Sequence, residues 1–202
     1  MRKKIRFYKQ HTMETCGAAC MLMLLDYYRK VEYPTPKQER KLYSLYRSRV
    51  FRGMNGASIA NCLSKNGLAV SLIHSSLDLM ENRDGYFDRE LYEALLAEYR
   101  EDVAKCQDRV RLTTGAEITC DDYRRELDAG KLLLVQCIVP GNADGIHDHT
   151  LHWVVVYGYE EGAFLVCDPL SSKLRIPQKA METYMDTPIG RICIVVGQEN
   201  NG

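Results

Sequence analysis

Residues 9–28 read KQHTMETCGAACMLMLLDYY, in which a polar stretch passes into a nearly unbroken apolar run. Thr15 is a residue type that caps helices, so the run predicts a helix from Cys16 to about Tyr28. Because this helix would be apolar on most faces, we expect it to lie at the centre of the fold. Cys16 stands at its first position, and Gln10 precedes it with five residues between. This placement suggests a role for the Cys16 thiol beyond packing.

The composition is typical of a soluble globular protein. The chain has 202 residues, of which 46% are hydrophobic and 27% are charged, enough for one domain with a hydrophobic core. Lys+Arg and Asp+Glu number 27 each, and this balance argues against nucleic acid or an anionic membrane as a partner. No apolar run reaches the ~20 residues of a membrane span, and no signal peptide is recognisable. We therefore expect a cytoplasmic protein whose eight cysteines are reduced and mostly buried.

The first two thirds of the chain predict mainly helices, and the last third predicts strands. Helical patterns follow the first helix at about 35–47, 58–66, 87–108 and 119–130, with one strand, 68–74, among them. From residue 131 onward, β-branched runs separated by turn residues predict five strands, at 131–139, 151–159, 163–167, 173–176 and 191–197. We therefore predict an α+β fold in two layers, with N-terminal helices packed on a mostly antiparallel C-terminal sheet.

The chain contains no visible linker, repeat or low-complexity segment. We therefore predict a single domain over residues 1–202, with residues 75–115 as a candidate helical insertion.

A reactive thiol at Cys16 would need a histidine from elsewhere in the fold. A helix N-terminus and a neighbouring imidazolium both favour the thiolate. His152 begins the strand HWVVVYGY, and the chain then returns through EEGAFLVCDP to Asp168. If the turn holds an odd number of residues, such as 160–162, His152 and Asp168 share a face within reach of one another. A two-residue turn would place them on opposite faces.

If the turn has an odd number of residues, Cys16, His152 and Asp168 can form a catalytic triad. Asp168 would orient His152, and His152 would take the proton from Cys16. Acyl transfer also needs hydrogen-bond donors aimed at the developing oxyanion, commonly a backbone N–H at the nucleophile and a side-chain amide. Gln10 is close enough in sequence to fold back over the helix start and supply that amide.

Three histidines in the segment GIHDHTLHW raise the alternative of a metal site. They are His147, His149 and His152. A zinc site would require three or four ligands in fixed geometry, and the H-x-H-x-x-H spacing matches no established metal motif. We therefore predict neither a metal nor another cofactor.

Two separated motifs, QHTMETCG and HWVVVYGYEEGAFLVCDP, resemble those of papain-like cysteine peptidases. They are more similar still to the bacteriocin-processing peptidases that remove double-glycine leaders, and to the stand-alone relatives of that family. The family's glutamine, Cys-Gly, histidine and Asp-Pro fall on Gln10, Cys16-Gly17, His152 and Asp168-Pro169. The resemblance covers most of the chain apart from residues 75–115. It departs at Ala18, where the family commonly has proline.

The resemblance implies a papain-like fold and a thiol protease that cleaves a peptide bond through a thioester intermediate. The expected partner is a peptide or protein substrate, with leader-peptide processing as one candidate role. Two other functions stay open: a papain-like acyltransferase, in which an amine intercepts the thioester, and a catalytically silent peptide-binding module. The presence of Cys16, His152 and Asp168 favours an enzyme over the binding module.

Overall fold

A computed structural model of the chain describes residues 4–140 and 149–198 and shows helices combined with one seven-stranded sheet. The helices are α1 (Cys16–Tyr27), α2 (Pro36–Tyr46), α3 (Gly56–Lys65), α4 (Arg89–Cys106), α5 (Cys120–Asp128) and α6 (Gln178–Tyr184). The strands are β1 (Leu68–His74), β2 (Val110–Thr113), β3 (Leu132–Pro140), β4 (His149–Glu160), β5 (Ala163–Cys167), β6 (Lys173–Pro177) and β7 (Ile192–Gln198). The predicted mixture of helices and sheet is confirmed. Within the described part of the chain, no helix has both the length and the apolar character needed to cross a membrane.

The sheet has the strand order β2-β1-β7-β3-β4-β5-β6. All neighbouring strands are antiparallel except β1 and β2, which are parallel. The sheet is therefore not confined to the C-terminal part of the chain, as the sequence had suggested, because β1 and β2 come from the first two thirds of the chain. Residues 75–115 contribute the edge strand β2 as well as the helix α4.

Helices cover both faces of the sheet, so the fold has three layers where the sequence predicts two. On one face, α1 and α3 pack in a core with Trp153 and Val155 of β4. On the other face, α5 and α6 pack in a second core with the alternate residues Val154 and Val156. This alternation explains why β4 is apolar at consecutive positions: each face of the strand meets a different helical layer.

The hairpin between β4 and β5 differs from the turn that the triad required. Its turn has only two residues, because Glu160 pairs with Ala163. However, Val156 pairs with Val166 and Gly158 pairs with Leu165, so one extra residue of β4 lies in a β-bulge. A bulge shifts the alternation by one position, as an odd turn would have done. His152 and Asp168 therefore lie on the same face despite the two-residue turn.

The helix α1 approaches its neighbours closely at Gly17. A Cβ atom at this position would lie 3.1 Å from Cδ1 of Ile59 in α3 and 3.3 Å from Cβ of Met54. Distances this short are tighter than ordinary van der Waals contact, so a larger residue would have to displace the neighbouring core side chains. A glycine after Cys16 therefore fits the first turn of α1 against α3.

Gly17→Val is expected to lower the free energy of unfolding by about 1–3 kcal/mol, because the added methyl groups overpack this contact. Urea unfolding followed by circular dichroism measures the change. Ala94→Val is the matched control, since Ala94 is an exposed residue inside α4 and its substitution should cost less than about 0.7 kcal/mol. Equal losses in the two variants would contradict the close packing at Gly17.

Candidate active site

Cys16 lies at the first position of α1 and is the most accessible of the eight cysteines. All eight are free thiols and are classed as buried. The exposed fraction of Cys16 is 7%, whereas that of every other cysteine is 4% or less. One turn later, the thiol of Cys20 donates to the backbone oxygen of Trp153 at 3.2 Å. This contact fixes the start of α1 against β4.

Thr15 occupies the N-cap position of α1 but does not act as the predicted cap. Its hydroxyl makes no hydrogen bond to the N–H groups of the helix and instead donates to the backbone oxygen of Thr12 at 3.0 Å. The first N–H groups of α1 therefore have no capping side chain from Thr15. Backbone donors at a helix start carry partial positive charge and favour a negative group beside them. The Cys16 sulfur stands at this end of the helix.

His152 lies between a carboxylate and the thiol. Its Nε2 is 2.8 Å from Oδ1 of Asp168, and the Cys16 side chain is near enough to the ring to influence its pKa. The side chain is almost fully buried, and burial by itself lowers the pKa of the imidazole. The interactions with Asp168 and Cys16 outweigh this effect and raise the pKa of His152 to about 9. The ring is therefore held in its protonated form near neutral pH.

Asp168 is held by three donors. Besides His152, the backbone N–H of Leu170 donates to Oδ1 at 2.9 Å and the hydroxyl of Ser171 donates to Oδ2 at 2.7 Å. Burial alone raises the pKa of a carboxyl group, but these hydrogen bonds and the charge of His152 keep the pKa of Asp168 below its usual value. The sequence analysis overlooked Ser171, although an aspartate followed by Pro-Leu-Ser-Ser is a turn-forming pattern that could have suggested it.

Gln10 is buried beside the turn that follows β5 and contains Asp168. Its backbone N–H donates to the backbone oxygen of Pro169 at 2.9 Å. Its side-chain Nε2 donates to the backbone oxygen of Thr12 at 2.7 Å, which leaves a second N–H on the same nitrogen. Within the described residues, the buried Oε1 has no hydrogen-bond partner. The structure thus brings Gln10 to the same end of the fold as Asp168.

Glu39 of α2 holds the segment that carries Gln10. Its carboxylate accepts from the hydroxyl of Tyr8 at 2.8 Å and from the backbone N–H of His11 at 2.9 Å, and it lies 2.6 Å from Nδ1 of His11. Burial raises the pKa of Glu39, but hydrogen bonds from Thr15, His11 and Tyr8 outweigh it and lower that pKa below its ordinary value. The sequence analysis missed this residue, because a glutamate in the first turn of a charged helix is typical of a solvated face.

The candidate metal ligands are not gathered in the described part of the chain. His147 lies outside the described residues, and so does the side chain of His149. Among the residues that are described, no group of three or more His, Cys, Asp and Glu side chains is placed to hold a metal ion.

Comparison with solved structures places the fold among peptidase domains. The peptidase domain of Streptococcus ComA, a bi-functional ABC transporter involved in quorum sensing, aligns with a TM-score of 0.53 and 12% identity over 97% of this chain and 100% of that one. A C39-like peptidase from Bacillus anthracis aligns with a TM-score of 0.55 and 11% identity over 97% and 96% of the two chains. A double-glycine-motif protease from an AMS/PCAT transporter, in complex with its leader peptide, gives a TM-score of 0.48 and 19% identity over 98% and 94%. At these identities, the structural likeness shows the fold alone.

Comparison with sequence families gives a match over nearly the whole chain. No curated protein matches the sequence. However, the profile of the family described as "Peptidase_C39 like family" matches residues 5–191. The chain therefore belongs to the Peptidase C39-like family.

Proposed function

We propose that this protein is a papain-like cysteine peptidase in which Cys16 is the nucleophile, His152 the general base and Asp168 the residue that orients the imidazole. The observation that carries the proposal is the position of His152, with Asp168 bonded at 2.8 Å to one ring nitrogen and Cys16 near enough to the ring to raise its pKa. A nucleophile, a base and an orienting group in this order are the arrangement that thiol catalysis requires.

The mechanism follows from the charges of these groups. The protonated His152 stabilises a thiolate at Cys16, which attacks the carbonyl carbon of the scissile peptide bond. His152 then gives its proton to the leaving amine, and the acyl group remains on the sulfur as a thioester. In the second half-reaction, His152 takes a proton from water, and the resulting hydroxide attacks the thioester and releases the free Cys16.

The oxyanion of each tetrahedral intermediate needs donors beside Cys16. We assign this role to the backbone N–H of Cys16, at the start of α1 without a side-chain cap, and to the second N–H of Gln10 Nε2. Such donors stabilise charge that develops only in the transition state, so they accelerate the reaction without tightening substrate binding.

Family membership supports the proposed class of substrate. The family and the fold both point to a peptide or protein substrate, and leader-peptide removal in the cytoplasm is the role that we assign. Residues 75–115, outside the motif resemblance, would then shape substrate choice rather than the chemistry.

Cys16 is expected to be the thiol that reacts fastest with limiting iodoacetamide near neutral pH. Burial raises the pKa of each of the other seven thiols, whereas Cys16 has an imidazolium beside it, so we expect at least about a tenfold rate difference. Peptide mapping by mass spectrometry measures it, with Cys106, the next most exposed thiol, as the internal reference. Faster labelling of any other cysteine in the folded protein would contradict the assignment.

Cys16→Ala should abolish cleavage of a random peptide mixture.

Asp168→Ala is expected to lower kcat/KM about 10²-fold, while Asp168→Asn, which keeps a hydrogen-bond acceptor, should lose less.

Wild-type activity should fall as the pH rises through about 9, where the raised pKa of His152 lets the imidazolium lose its proton. Without the carboxylate, this fall should begin at lower pH, because the partner that raises the pKa is gone. Rate measurements across pH 5–10 test both points. Asp78→Ala, on an exposed residue, is the control. If both Asp168 variants match the wild type, Asp168 is only a turn residue.

Gln10→Ala is expected to lower kcat by about 10²–10³ with little change in KM, because an oxyanion donor acts mainly in the transition state. Alkylation of Cys16 by iodoacetamide should persist, since displacement at a saturated carbon creates no oxyanion. Gln198→Ala, on an exposed residue at the end of β7, is the control for a surface glutamine. Parallel loss of alkylation and turnover would instead show that Gln10 only holds the start of α1 in place.

A further inference from the structure

The two peptide groups that flank the Cα atom of Gln10 are each fixed by a hydrogen bond to a distant part of the chain. The N–H of Gln10 itself donates to the backbone oxygen of Pro169 at 2.9 Å. The N–H of the following residue, His11, donates to Oε1 of Glu39 at 2.9 Å. A residue has only two soft backbone dihedrals, one toward each of its peptide groups. The two contacts therefore determine the direction in which the Gln10 side chain leaves the backbone.

The amide at the end of that side chain is directed by a contact within the same segment. Nε2 of Gln10 donates one N–H to the backbone oxygen of Thr12 at 2.7 Å. The other N–H of Nε2 is the donor that we assign to the oxyanion. Its direction depends on the backbone of residues 10–12, and so on the two contacts that hold this backbone in place.

The two contacts differ in how they can be changed. The contact with Pro169 joins two backbone atoms, so a change of side chain does not remove it directly. The contact with Glu39 uses a side chain, which comes from the first turn of α2 and is only 1% exposed. A single carboxylate therefore connects α2 to the peptide group that follows Gln10.

The surroundings of Glu39 hold its carboxylate in one orientation. Its other oxygen, Oε2, accepts from the hydroxyl of Tyr8 at 2.8 Å and lies 2.6 Å from Nδ1 of His11. The carboxylate cannot turn away from the His11 N–H without breaking these contacts as well. Hydrogen bonds to an ionised acceptor are about twice as strong as neutral ones. The imidazole of His11 is 47% exposed, so its ion pair with Glu39 contributes less than the backbone contact.

We propose that Glu39 is a positioning residue of the oxyanion hole, which acts on the reaction only through Gln10. This inference rests on the proposed peptidase function. Without the carboxylate, the peptide group between Gln10 and His11 can turn, and the second N–H of Nε2 loses its fixed direction. Within the described residues, the hydrogen bonds of Glu39 go to the segment before α1 and not to His152. Thiolate formation at Cys16 should therefore continue without Glu39.

Glu39→Leu is expected to lower kcat about 10- to 10²-fold with little change in KM, because it loses part of the roughly 10²–10³ that removal of an oxyanion donor costs. Glu39→Gln, which keeps an acceptor for the His11 N–H, should recover most of this loss. Steady-state cleavage of one peptide, chosen from a random mixture as a good substrate of the wild type, measures these values. Glu90→Leu, on an exposed glutamate in the first turn of α4, is the matched control and should keep the wild-type kcat.

A double-variant cycle with Gln10→Ala distinguishes positioning from a general loss of structure. In the Gln10→Ala background, Glu39→Leu should lower kcat less than about twofold further, since the donor that it positions is already absent. Alkylation of Cys16 by iodoacetamide should stay within about twofold of the wild-type rate in each variant. His11→Ala should keep kcat within about threefold of the wild type, because it removes the half-exposed ion pair and retains the backbone N–H.

The outcomes separate this inference from the function on which it rests. Wild-type kcat in a folded Glu39→Leu protein, or losses that add in the double variant, would overturn the inference and leave the peptidase proposal intact. Loss of Cys16 alkylation in Glu39→Leu would also overturn it, because Glu39 would then support the start of α1. If Glu39→Leu does not fold, Glu39→Asp, whose carboxylate is one methylene shorter, replaces it in the same cycle, and the same outcomes contradict the inference.

Two further results bear on the function itself. Wild-type turnover in Gln10→Ala would leave Glu39 no donor to position, so the inference would fall, while a peptidase with a different oxyanion donor would remain. No cleavage of any peptide by the wild type, with Cys16 still reactive toward iodoacetamide, would remove the peptidase function and this inference together.

Discussion

The hydrogen bond between His152 and Asp168 is the constraint on which the arrangement of the site depends, and the β-bulge in β4 makes it possible. In a regular hairpin with a two-residue turn, these side chains would point to opposite faces of the sheet. One additional residue in β4 reverses that relation, and the carboxylate then meets the imidazole. The bond fixes which ring nitrogen is left for Cys16, and it raises the pKa of His152 to about 9. A local irregularity of pairing thus determines the electrostatic state of the proposed base.

Two buried carboxylates, those of Asp168 and Glu39, stabilise the neighbourhood of Cys16, and each accepts several hydrogen bonds. Asp168 accepts from His152, Leu170 and Ser171. Glu39 accepts from Tyr8 and from the backbone of the segment that carries Gln10. A buried charge without such partners would be strongly destabilising, so both carboxylates restrict their surroundings to a single arrangement. Rigid support of this kind keeps reacting groups in place without rearrangement during the reaction.

Several features of the site could be predicted from the sequence because they depend on residues close together in the chain. The position of Cys16 at a helix start follows from the abrupt change to an apolar run, and the strand that carries His152 follows from its β-branched residues. The bulge could not be predicted, because it depends on how β4 pairs with β5 rather than on either strand alone. The strand β2 was missed for a similar reason: its four residues form a strand only because β1 lies beside them. The expected cap at Thr15 failed because its hydroxyl oxygen accepts from the backbone N–H and the hydroxyl of Thr12 rather than from the N–H groups of α1.

The hydrogen bond from Gln10 to Pro169 joins residues that are far apart in the chain. The segment that carries Cys16 therefore meets His152 and Asp168, the proposed base and orienting carboxylate, only after β4 and β5 have formed. Contacts of such long sequence separation are slow to form during folding, because the intervening chain must first be ordered. A chain still emerging from the ribosome would carry Cys16 long before His152 and Asp168 are available. The proposed peptidase activity would thus be delayed until β4 and β5 have been synthesised, which would protect the nascent chain and its neighbours from premature cleavage.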